Sequence, residues 1–456
     1  MTFPLLLTPF EEYALRDGTA SHPLEFFYRL SFDGLLDPGA VATGSAEAFR
    51  RHPLLAARIE ERGGSTPRFE PGDTPPVPTL AARADDDLPA IPALDEVTGP
   101  LARLFLVTRP TGTSDILAQF HHVACDGLGA LAFLADFCTL LDAALRGAVA
   151  DLAPSDPCTL RRRGRYGLDS WKLVRSLPAQ ARGLEGVWKF LRHRPARFAP
   201  AGDPGPERLH RLQRADARLD ADEARGLRRA ATAAGVSVNE LAAAALFRSL
   251  REPLPAAAFR HPRDVVRLSI PINMRGPADR RLPAANVVSM VFLDRRPAEI
   301  DVAGLEASLH AEMQLIKRLG LGMTFLFTLA TARLLPGGIA GLVGDRSTAA
   351  TALFTNLGRI FSRAADRRTG LVRAGPHALV AVEPLAPLRR GTALAMAAVD
   401  YGGHLRFTLR TDPAALDAAA TEALAAAFAR HLRRHLPAVT EHAAADPARL
   451  AAEACA

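Results

Sequence analysis

The seven residues HHVACDG, at positions 121–127, are the most informative stretch of this 456-residue chain. They follow the apolar stretch Ile116–His121, which is typical of a buried strand, and precede a segment whose apolar residues recur at helical spacing up to Leu145. The end of a strand is a rigid position from which a side chain can point into a cleft. The pattern HHxxxDG should arise by chance in roughly one such chain in a thousand, so it indicates a functional site.

The side chains of this stretch are suited to proton transfer. Imidazole has its ordinary pKa close to neutrality, so a histidine at the end of a strand is a candidate general base. Asp126 stands beside an apolar helix, where burying a carboxylate is costly unless it is paired, and we expect an arginine from elsewhere in the chain as its partner. Gly127 would allow close backbone approach or a positive φ. The structural alternative is a hydrogen-bonded core histidine with Asp126 as a simple helix cap.

Strand-like and helix-like segments are mixed along the chain, which predicts an α/β protein. Alternation and short apolar runs predict strands at Leu24–Phe32, Leu101–Thr108, Ile116–His121, Val265–Ile272, Val287–Leu293, Leu371–Val382, Ala393–Val399 and Leu405–Leu409. Helical spacing after Gly127 predicts one helix, and the same spacing predicts others at Pro38–Arg50, Ala221–Ala234, Asn239–Leu250, Glu299–Leu319 and Ala414–Leu436.

Two Pro- and Gly-rich stretches divide the chain. Residues 63–100 include the acidic run Asp85–Asp87 and are expected to form a long loop with one short strand. The second stretch, Pro195–Pro206, precedes a new series of strands and helices. We therefore predict two domains, residues 1–194 and residues 195–456, and the length is sufficient for two or three hydrophobic cores.

The composition, 48% hydrophobic and 23% charged, excludes a disordered chain and a fibrous repeat. The apolar stretch Leu319–Gly344 is interrupted by Arg333 and is too short to span a bilayer, and the amino terminus lacks the pattern of a secretory signal. We expect a cytoplasmic protein without a metal. No zinc or redox spacing is present among the four cysteines, which are Cys125, Cys138, Cys158 and Cys455.

Positive charge is concentrated between Arg161 and Arg197, where eleven Lys or Arg residues face only Asp169 and Glu185, a local balance of +9 within a chain of net charge +7. Apolar residues at roughly helical spacing, interrupted by Pro178, predict two short amphipathic helices here. Three interpretations stay open: attraction of an anionic donor substrate, contact with an anionic membrane, or a solvated face. Nucleic-acid binding is not expected, because no zinc, aromatic platform or helix-turn-helix pattern accompanies the charge.

Together these motifs resemble the HHxxxDG acyltransferase superfamily with the chloramphenicol acetyltransferase fold. That superfamily includes nonribosomal peptide condensation domains, wax ester synthases, polyketide-associated acyltransferases and alcohol acetyltransferases. Four further stretches agree with it in the expected order, namely LTPFE at 7–11, HPLLAAR at 52–58, GVSVN at 235–239 and PINMR at 271–275. The resemblance therefore covers most of the chain.

The resemblance implies two chloramphenicol acetyltransferase-like domains that form a V-shaped cleft with a central tunnel, in which donor and acceptor enter from opposite faces. It implies that His122 is the general base for an acceptor that attacks the thioester carbonyl directly. His121 and Asp126 would then be mainly structural, with Gly127 in support and Arg275 as the partner of Asp126.

Departures from the family patterns are also informative. The DFGWG sequence of plant members is absent, and the corresponding stretch FTNLG at 354–358 is closer to bacterial members. Asn356 is a candidate for a hydrogen bond to substrate or oxyanion, although Asn before an apolar residue and Gly is also typical of a turn. Cys125 is expected to be a buried bystander rather than a nucleophile. The apolar stretch Gly320–Leu335 is either a core helix or part of a tunnel wall.

The sequence thus predicts a monomeric acyltransferase that moves an acyl group from a CoA or carrier-protein thioester to a hydroxyl, less readily to an amine, with no permanently bound cofactor. One alternative is a free-standing condensation enzyme that forms an amide or ester in assembly-line biosynthesis. Another is a non-catalytic member of the fold that binds a carrier protein or lipid. Peripheral membrane contact remains open.

Overall fold

The computed structural model describes residues 3–63, 65–72, 76–82, 91–166, 170–198, 213–343 and 350–436. The acidic run Asp85–Asp87, most of Pro195–Pro206 and Cys455 lie outside the described residues.

The described strands are β1 (Leu5–Leu6), β2 (Glu25–Phe32), β3 (Arg58–Glu60), β4 (Arg68–Glu70), β5 (Thr79–Ala82), β6 (Ala102–Thr108), β7 (Ser114–His121), β8 (Arg194–Pro195), β9 (Arg214–Leu219), β10 (Asp264–Asn273), β11 (Val288–Arg295), β12 (Ala352–Arg359), β13 (Arg373–Ala374), β14 (His377–Leu385), β15 (Leu394–Tyr401) and β16 (His404–Thr411). The described α-helices are α1 (Pro9–Asp17), α2 (Pro38–Arg51), α3 (Gly127–Arg146), α4 (Ser170–Arg192), α5 (Ala221–Ala233), α6 (Val238–Arg251), α7 (Pro297–Ile300), α8 (Leu305–Leu319), α9 (Gly322–Ala332), α10 (Gly338–Val343) and α11 (Ala418–Arg433).

The first sheet has the strand order β13-β14-β2-β7-β6-β5. Its central strand β7 is buried along its whole length and is antiparallel to both β2 and β6. Strands β13 and β14 come from the second half of the sequence, and β14 pairs with β2. Residues 1–194 alone therefore do not complete this sheet, although the domain boundary itself stays a prediction.

Helices α2 and α3 pack against each other beside the first sheet. Helix α3 begins where the Asp126 side chain accepts a hydrogen bond from Gly129 N, and it ends at Gly147 in a left-handed conformation. Its apolar side chains, such as Phe133, lie in the core, where the Phe133 ring is 4.9 Å from that of Phe49. This packing fixes the start of α3 relative to the end of β7.

The second sheet has the order β11-β10-β12-β15-β16-β9, with the short β8 paired to β10. Strand β15 is buried along its whole length. Helices α5, α6 and α11 contribute to the core beside this sheet, as the contacts of Leu227, Phe247 and Phe428 show. The carboxyl end of β10 leads directly to Arg275.

We refer to each sheet together with the helices packed against it as one half of the molecule. Apolar packing and ion pairs both join the halves. A cluster of apolar residues from α1, α9 and the start of β11, including Phe10 and Met323, packs together beside the histidine stretch. Buried Glu383 of β14 also pairs with Arg214 of β9 and with Arg406 of β16, the latter at 3.3 Å. Strand β14 of the first sheet is therefore held against the second sheet by charge as well as by packing.

Several predicted elements differ from the structure. The helix predicted at Glu299–Leu319 is divided into α7 and α8, and the strand predicted at Leu371–Val382 is divided into β13 and β14 at Gly375, which has a positive φ. The described part of residues 63–100 contains two short strands, β4 and β5, rather than one. The two helices predicted around Pro178 are one helix, α4. Gly320–Leu335 contains α9, whose Leu326 and Leu329 are buried.

The basic segment also requires a correction. Arg161, Arg162 and Arg165 are exposed, whereas Arg163 is buried and makes two hydrogen bonds to the carboxylate of Glu11, at 2.7 and 2.8 Å. The run of arginines predicts one charged surface, but Arg163 instead links the 3₁₀ helix Pro157–Arg165 to α1.

By length and composition alone, α3 is also long and apolar enough to cross a membrane. The bent pairs α5–α6 and α8–α9 would be two further candidates if each pair formed one span. In this structure the apolar face of α3 packs in the core of the first half, with Leu134, Phe137 and Leu141 fully buried.

Candidate active site

His122 follows β7 and lies at the cavity between the two halves. Its backbone N donates to Leu24 O at 2.9 Å, which continues the pairing of β7 with β2. Its ring lies between two aromatic side chains, with ring centroids 5.7 Å from Phe10 and 5.4 Å from Phe26. The imidazole is thus held in place by strand pairing and by aromatic packing.

The buried surroundings of His122 favour the neutral imidazole. Burial lowers the pKa of His122, and its own backbone carbonyl and the nearby Asp126 oppose this shift only in part. Nδ1 is buried without a hydrogen-bond partner among the described residues, and the residue itself lines the cavity. A neutral ring with an accessible nitrogen is the form that a general base requires.

His121 is oriented differently. It is 5% exposed, and its Nδ1 accepts a hydrogen bond from Val123 N at 3.2 Å. Burial, with a smaller contribution from His122, lowers the pKa of His121 to about 4. His121 therefore braces the turn between β7 and α3, and it is not among the residues that line the cavity.

Asp126 is the centre of a fully paired group. Its Oδ2 accepts hydrogen bonds from Arg275 Nη1 at 2.9 Å and from Val287 N at 2.8 Å, while Oδ1 caps α3 through Gly129 N. Arg275 also donates through Nη2 to Ala285 O at 2.9 Å. Helix capping and the ion pair, which the sequence presented as alternatives, are therefore both made by one carboxylate.

Gly127 lies where a side chain would be tightly confined. A Cβ at this position would be 2.8 Å from a methyl group of Leu357 and 3.2 Å from the hydroxyl of Tyr28. That hydroxyl donates to Gly127 O at 2.9 Å. Of the two roles expected for Gly127, the structure has the close approach, and its φ is not among the positive values.

Asn356 lines the same cavity, within β12 rather than in a loop. Its Oδ1 accepts from Gly358 N at 2.8 Å, and its Nδ2 donates to Asn239 Oδ1. Asn356 therefore makes a turn-like hydrogen bond to Gly358 and also lines the cavity. Thr355, which the sequence analysis did not single out, also lines the cavity.

The cavity is small and largely apolar. It encloses about 120 Å³, which is less than the ~300–1,000 Å³ of an ordinary ligand pocket, so it would admit only the reacting part of a substrate. Both halves contribute to its wall: Phe26 and His122 from the first, Pro271, Met290 and Thr355 from the second.

Cys125 is fully buried, and burial raises the pKa of its thiol well above the ordinary value. A thiol in these surroundings is not ionised near neutral pH, which disfavours it as a nucleophile. Among the described residues no group of three or more His, Cys, Asp or Glu side chains has the arrangement of a metal site.

Sequence reasoning missed Asn286. This buried residue donates from Nδ2 to the carbonyls of both His122 and Val123, at 2.9 Å each. It thereby ties the loop after Arg275 to the backbone of the histidine stretch. A single Asn in the apolar run AANVV carries no pattern that would have identified it.

His52 makes a further link between the halves. It is buried, its Nδ1 accepts from Ala284 N at 2.8 Å, and its Nε2 lies 3.1 Å from Asp136 Oδ2. The loop that carries Arg275 and Asn286 is therefore fixed at both ends against the first half.

Comparison with solved structures gives the same architecture. The chain is similar to the first condensation domain of the CDA synthetase, with TM-score 0.66, 16% identity, and 95% of this chain and 96% of that chain covered. It is similar to the epimerization domain from the third module of tyrocidine synthetase B, with TM-score 0.61, 18% identity, and 95% and 97% covered.

A third similar structure is the starter condensation domain of rhizomide synthetase, a mutant in complex with C8-CoA, with TM-score 0.65, 15% identity and 94% of each chain covered. No family model matches the sequence. No curated protein matches it. The predicted α/β fold class is confirmed, and the chain has the fold of condensation domains.

Proposed function

We propose that this chain, which has the fold of condensation domains, is an acyltransferase that moves an acyl group from a thioester to a hydroxyl with His122 as general base. The observation that carries the proposal is the neutral, tightly held imidazole of His122 at a cavity between the two halves. The intact His122 and the fully paired Asp126 disfavour a non-catalytic role.

In the proposed reaction, His122 Nε2 takes the proton of the acceptor hydroxyl as its oxygen forms a bond to the thioester carbonyl carbon. The tetrahedral intermediate then collapses, the carbon–sulfur bond breaks, and the imidazolium returns the proton to the leaving thiolate. The hydroxyl of Thr355 and the amide of Asn356 are polar groups of the cavity wall that could donate to the carbonyl oxygen. Direct attack needs no residue that becomes acylated.

The donor is proposed to be an acyl-CoA or an acylated carrier protein. A similar solved structure contains C8-CoA, which supports CoA thioesters as the first donors to try. The exposed Arg161, Arg162 and Arg165 add positive charge that would attract CoA phosphates or an acidic carrier protein. Contact of the same residues with an anionic membrane is the competing use of that charge.

The test is a panel of acyl thioesters combined with alcohols and amines, with product formation followed by mass spectrometry. Ester products that require His122 would support the proposal, and amide products alone would favour the condensation-enzyme alternative. Absence of transfer from every thioester by the folded protein would contradict it. Arg367→Gln is a control, since Arg367 is exposed and does not line the cavity.

A further inference from the structure

The charged side chains that line the cavity are already paired with each other. Among the described residues of the wall, only Asp126 and Arg275 carry a formal charge at neutral pH, and they pair with each other at 2.9 Å. Asp126 also accepts hydrogen bonds from the backbone N of Gly129 and of Val287, and Arg275 also donates to Ala285 O. The charge of each residue is therefore balanced by its partner, and neither is an unpaired ion.

The other polar side chains of the wall are uncharged. The Tyr28 hydroxyl donates to Gly127 O, Asn273 accepts from Arg275 N, and Asn356 is bonded to Gly358 and Asn239. Most of the rest of the wall is aliphatic or aromatic, including Phe27, Leu128, Met290 and Leu353. A charged group placed here would lose its hydration and would find no unpaired opposite charge in the wall, which is unfavourable.

The position of the reacting carbonyl determines which atoms of the acyl group must be uncharged. For the acceptor oxygen to be within hydrogen-bond reach of His122, the thioester carbonyl must lie in the cavity. The first two or three atoms of the acyl group are bonded to that carbonyl, so they lie within a few ångströms of it whichever way the chain continues. A charge on these atoms cannot reach bulk water as a charge at the far end of a long chain can.

We infer that the enzyme selects acyl donors whose first atoms beyond the thioester carbonyl are uncharged hydrocarbon. It therefore excludes short dicarboxylic and short amino-acyl groups. This inference rests on the proposed function and adds the substrate class. It separates butyryl-like donors from β-alanyl or malonyl donors of the same size.

The experiment uses two pairs of thioesters of N-acetylcysteamine, which is the end shared by CoA and carrier-bound pantetheine. Butyryl and β-alanyl differ by a methyl and an ammonium group, and isovaleryl and malonyl differ by an isopropyl and a carboxylate group. We expect kcat/KM for the uncharged member of each pair to be about 100-fold higher or more. Ratios below about threefold, with clear transfer of all four groups, would overturn the inference and leave the proposed function standing.

A variant tests whether charge, rather than size, causes the exclusion. Met290→Glu adds a carboxylate to the wall and is expected to raise the β-alanyl to butyryl ratio at least tenfold, without raising the malonyl to isovaleryl ratio. The matched control is Leu334→Glu, since Leu334 is 85% exposed and does not line the cavity. Equal ratios in the two variants would overturn the inference. Loss of all transfer in the wild type would instead count against the proposed function.

The same preference can be measured as the binding of acyl donors, without turnover. In the His122→Ala variant the intact thioesters are expected to persist, and butyryl-CoA should bind at least tenfold more tightly than β-alanyl-CoA in calorimetry. The CoA part is common to both ligands, so the ratio reports on the acyl group. Equal dissociation constants would contradict the inference.

Discussion

Arg275 Nη1 lies 2.9 Å from Asp126 Oδ2, although 149 positions separate the two residues in the chain. One partner begins α3 of the first half, and the other follows β10 of the second half. The Asp126 side chain is 5% exposed and that of Arg275 20% exposed. This pair is therefore a largely desolvated link between the halves at the edge of the cavity.

Removing Asp126 should weaken this link. Asp126→Ala leaves Arg275 and two backbone N–H groups without their acceptor, and we expect the free energy of unfolding to fall by about 3–5 kcal/mol in chemical denaturation. Glu185→Ala is the control, because the pair of Glu185 with Lys189 is solvent-exposed and should contribute little to stability. Equal stability of Asp126→Ala and wild type would show that the pair does not hold the halves together.

The lowered pKa of His121 predicts that the folded protein loses stability in acid. Its pKa is about 4 in the folded protein, below the ordinary ~6.5, so between these values the unfolded chain binds more protons and stability falls as the pH is lowered. The loss attributable to His121 is about 3 kcal/mol between pH 7 and pH 4. In His121→Gln this part of the pH dependence should disappear, whereas exposed His404→Gln should keep it. An unchanged pH dependence in His121→Gln would contradict the prediction.

Cys125 should be dispensable. Burial keeps its thiol protonated, and direct attack by the acceptor needs no acyl-enzyme. We expect Cys125→Ala to retain acyl transfer within a few-fold of wild type. Alanine is chosen because a serine hydroxyl at this fully buried position would need a hydrogen-bond partner. Intact-mass detection of an acyl adduct on Cys125 that forms as fast as turnover would contradict direct transfer.

The exposed arginines of the basic segment should affect donor encounter. Replacing Arg161, Arg162 and Arg165 with Gln should raise KM for the donor about threefold or more at low ionic strength, less at high ionic strength, and leave kcat nearly unchanged. Arg163 is kept, since its buried pair with Glu11 would confound the result. If KM and vesicle binding are both unchanged, the arginines form only a solvated face. If KM is unchanged but the variant no longer co-sediments with vesicles, the arginines contact a membrane.

The elements that form the site were predictable where the signal is local. The apolar run before His121 and the spacing after Gly127 are sufficient to predict β7 and α3. The strand that precedes Arg275, β10, was also predicted. The resemblance to the acyltransferase superfamily predicted the pairing of Asp126 with Arg275, since nothing in the sequence spacing indicates which arginine lies near Asp126.

What the sequence did not indicate depends on distant contacts. The pairing of β14 with β2 joins segments more than 300 residues apart, and no local pattern specifies it. Strand β12 was missed because FTNLG resembles a turn, whereas pairing with β15 on one side and β10 on the other makes it a strand. Arg163 was assigned to the surface because its buried partner Glu11 lies 152 positions away.

The most direct test of the central claim is the rate of acyl transfer by His122→Ala. Positioned proton transfer contributes about 10²- to 10⁴-fold, so kcat/KM with an unactivated alcohol should fall by that factor while the circular dichroism spectrum and melting temperature stay close to wild type. Because burial lowers the pKa of His122, wild-type kcat/KM should decline only below the pH at which an ordinary histidine titrates. A folded His122→Ala protein with near wild-type transfer would contradict the assignment of His122 as the general base.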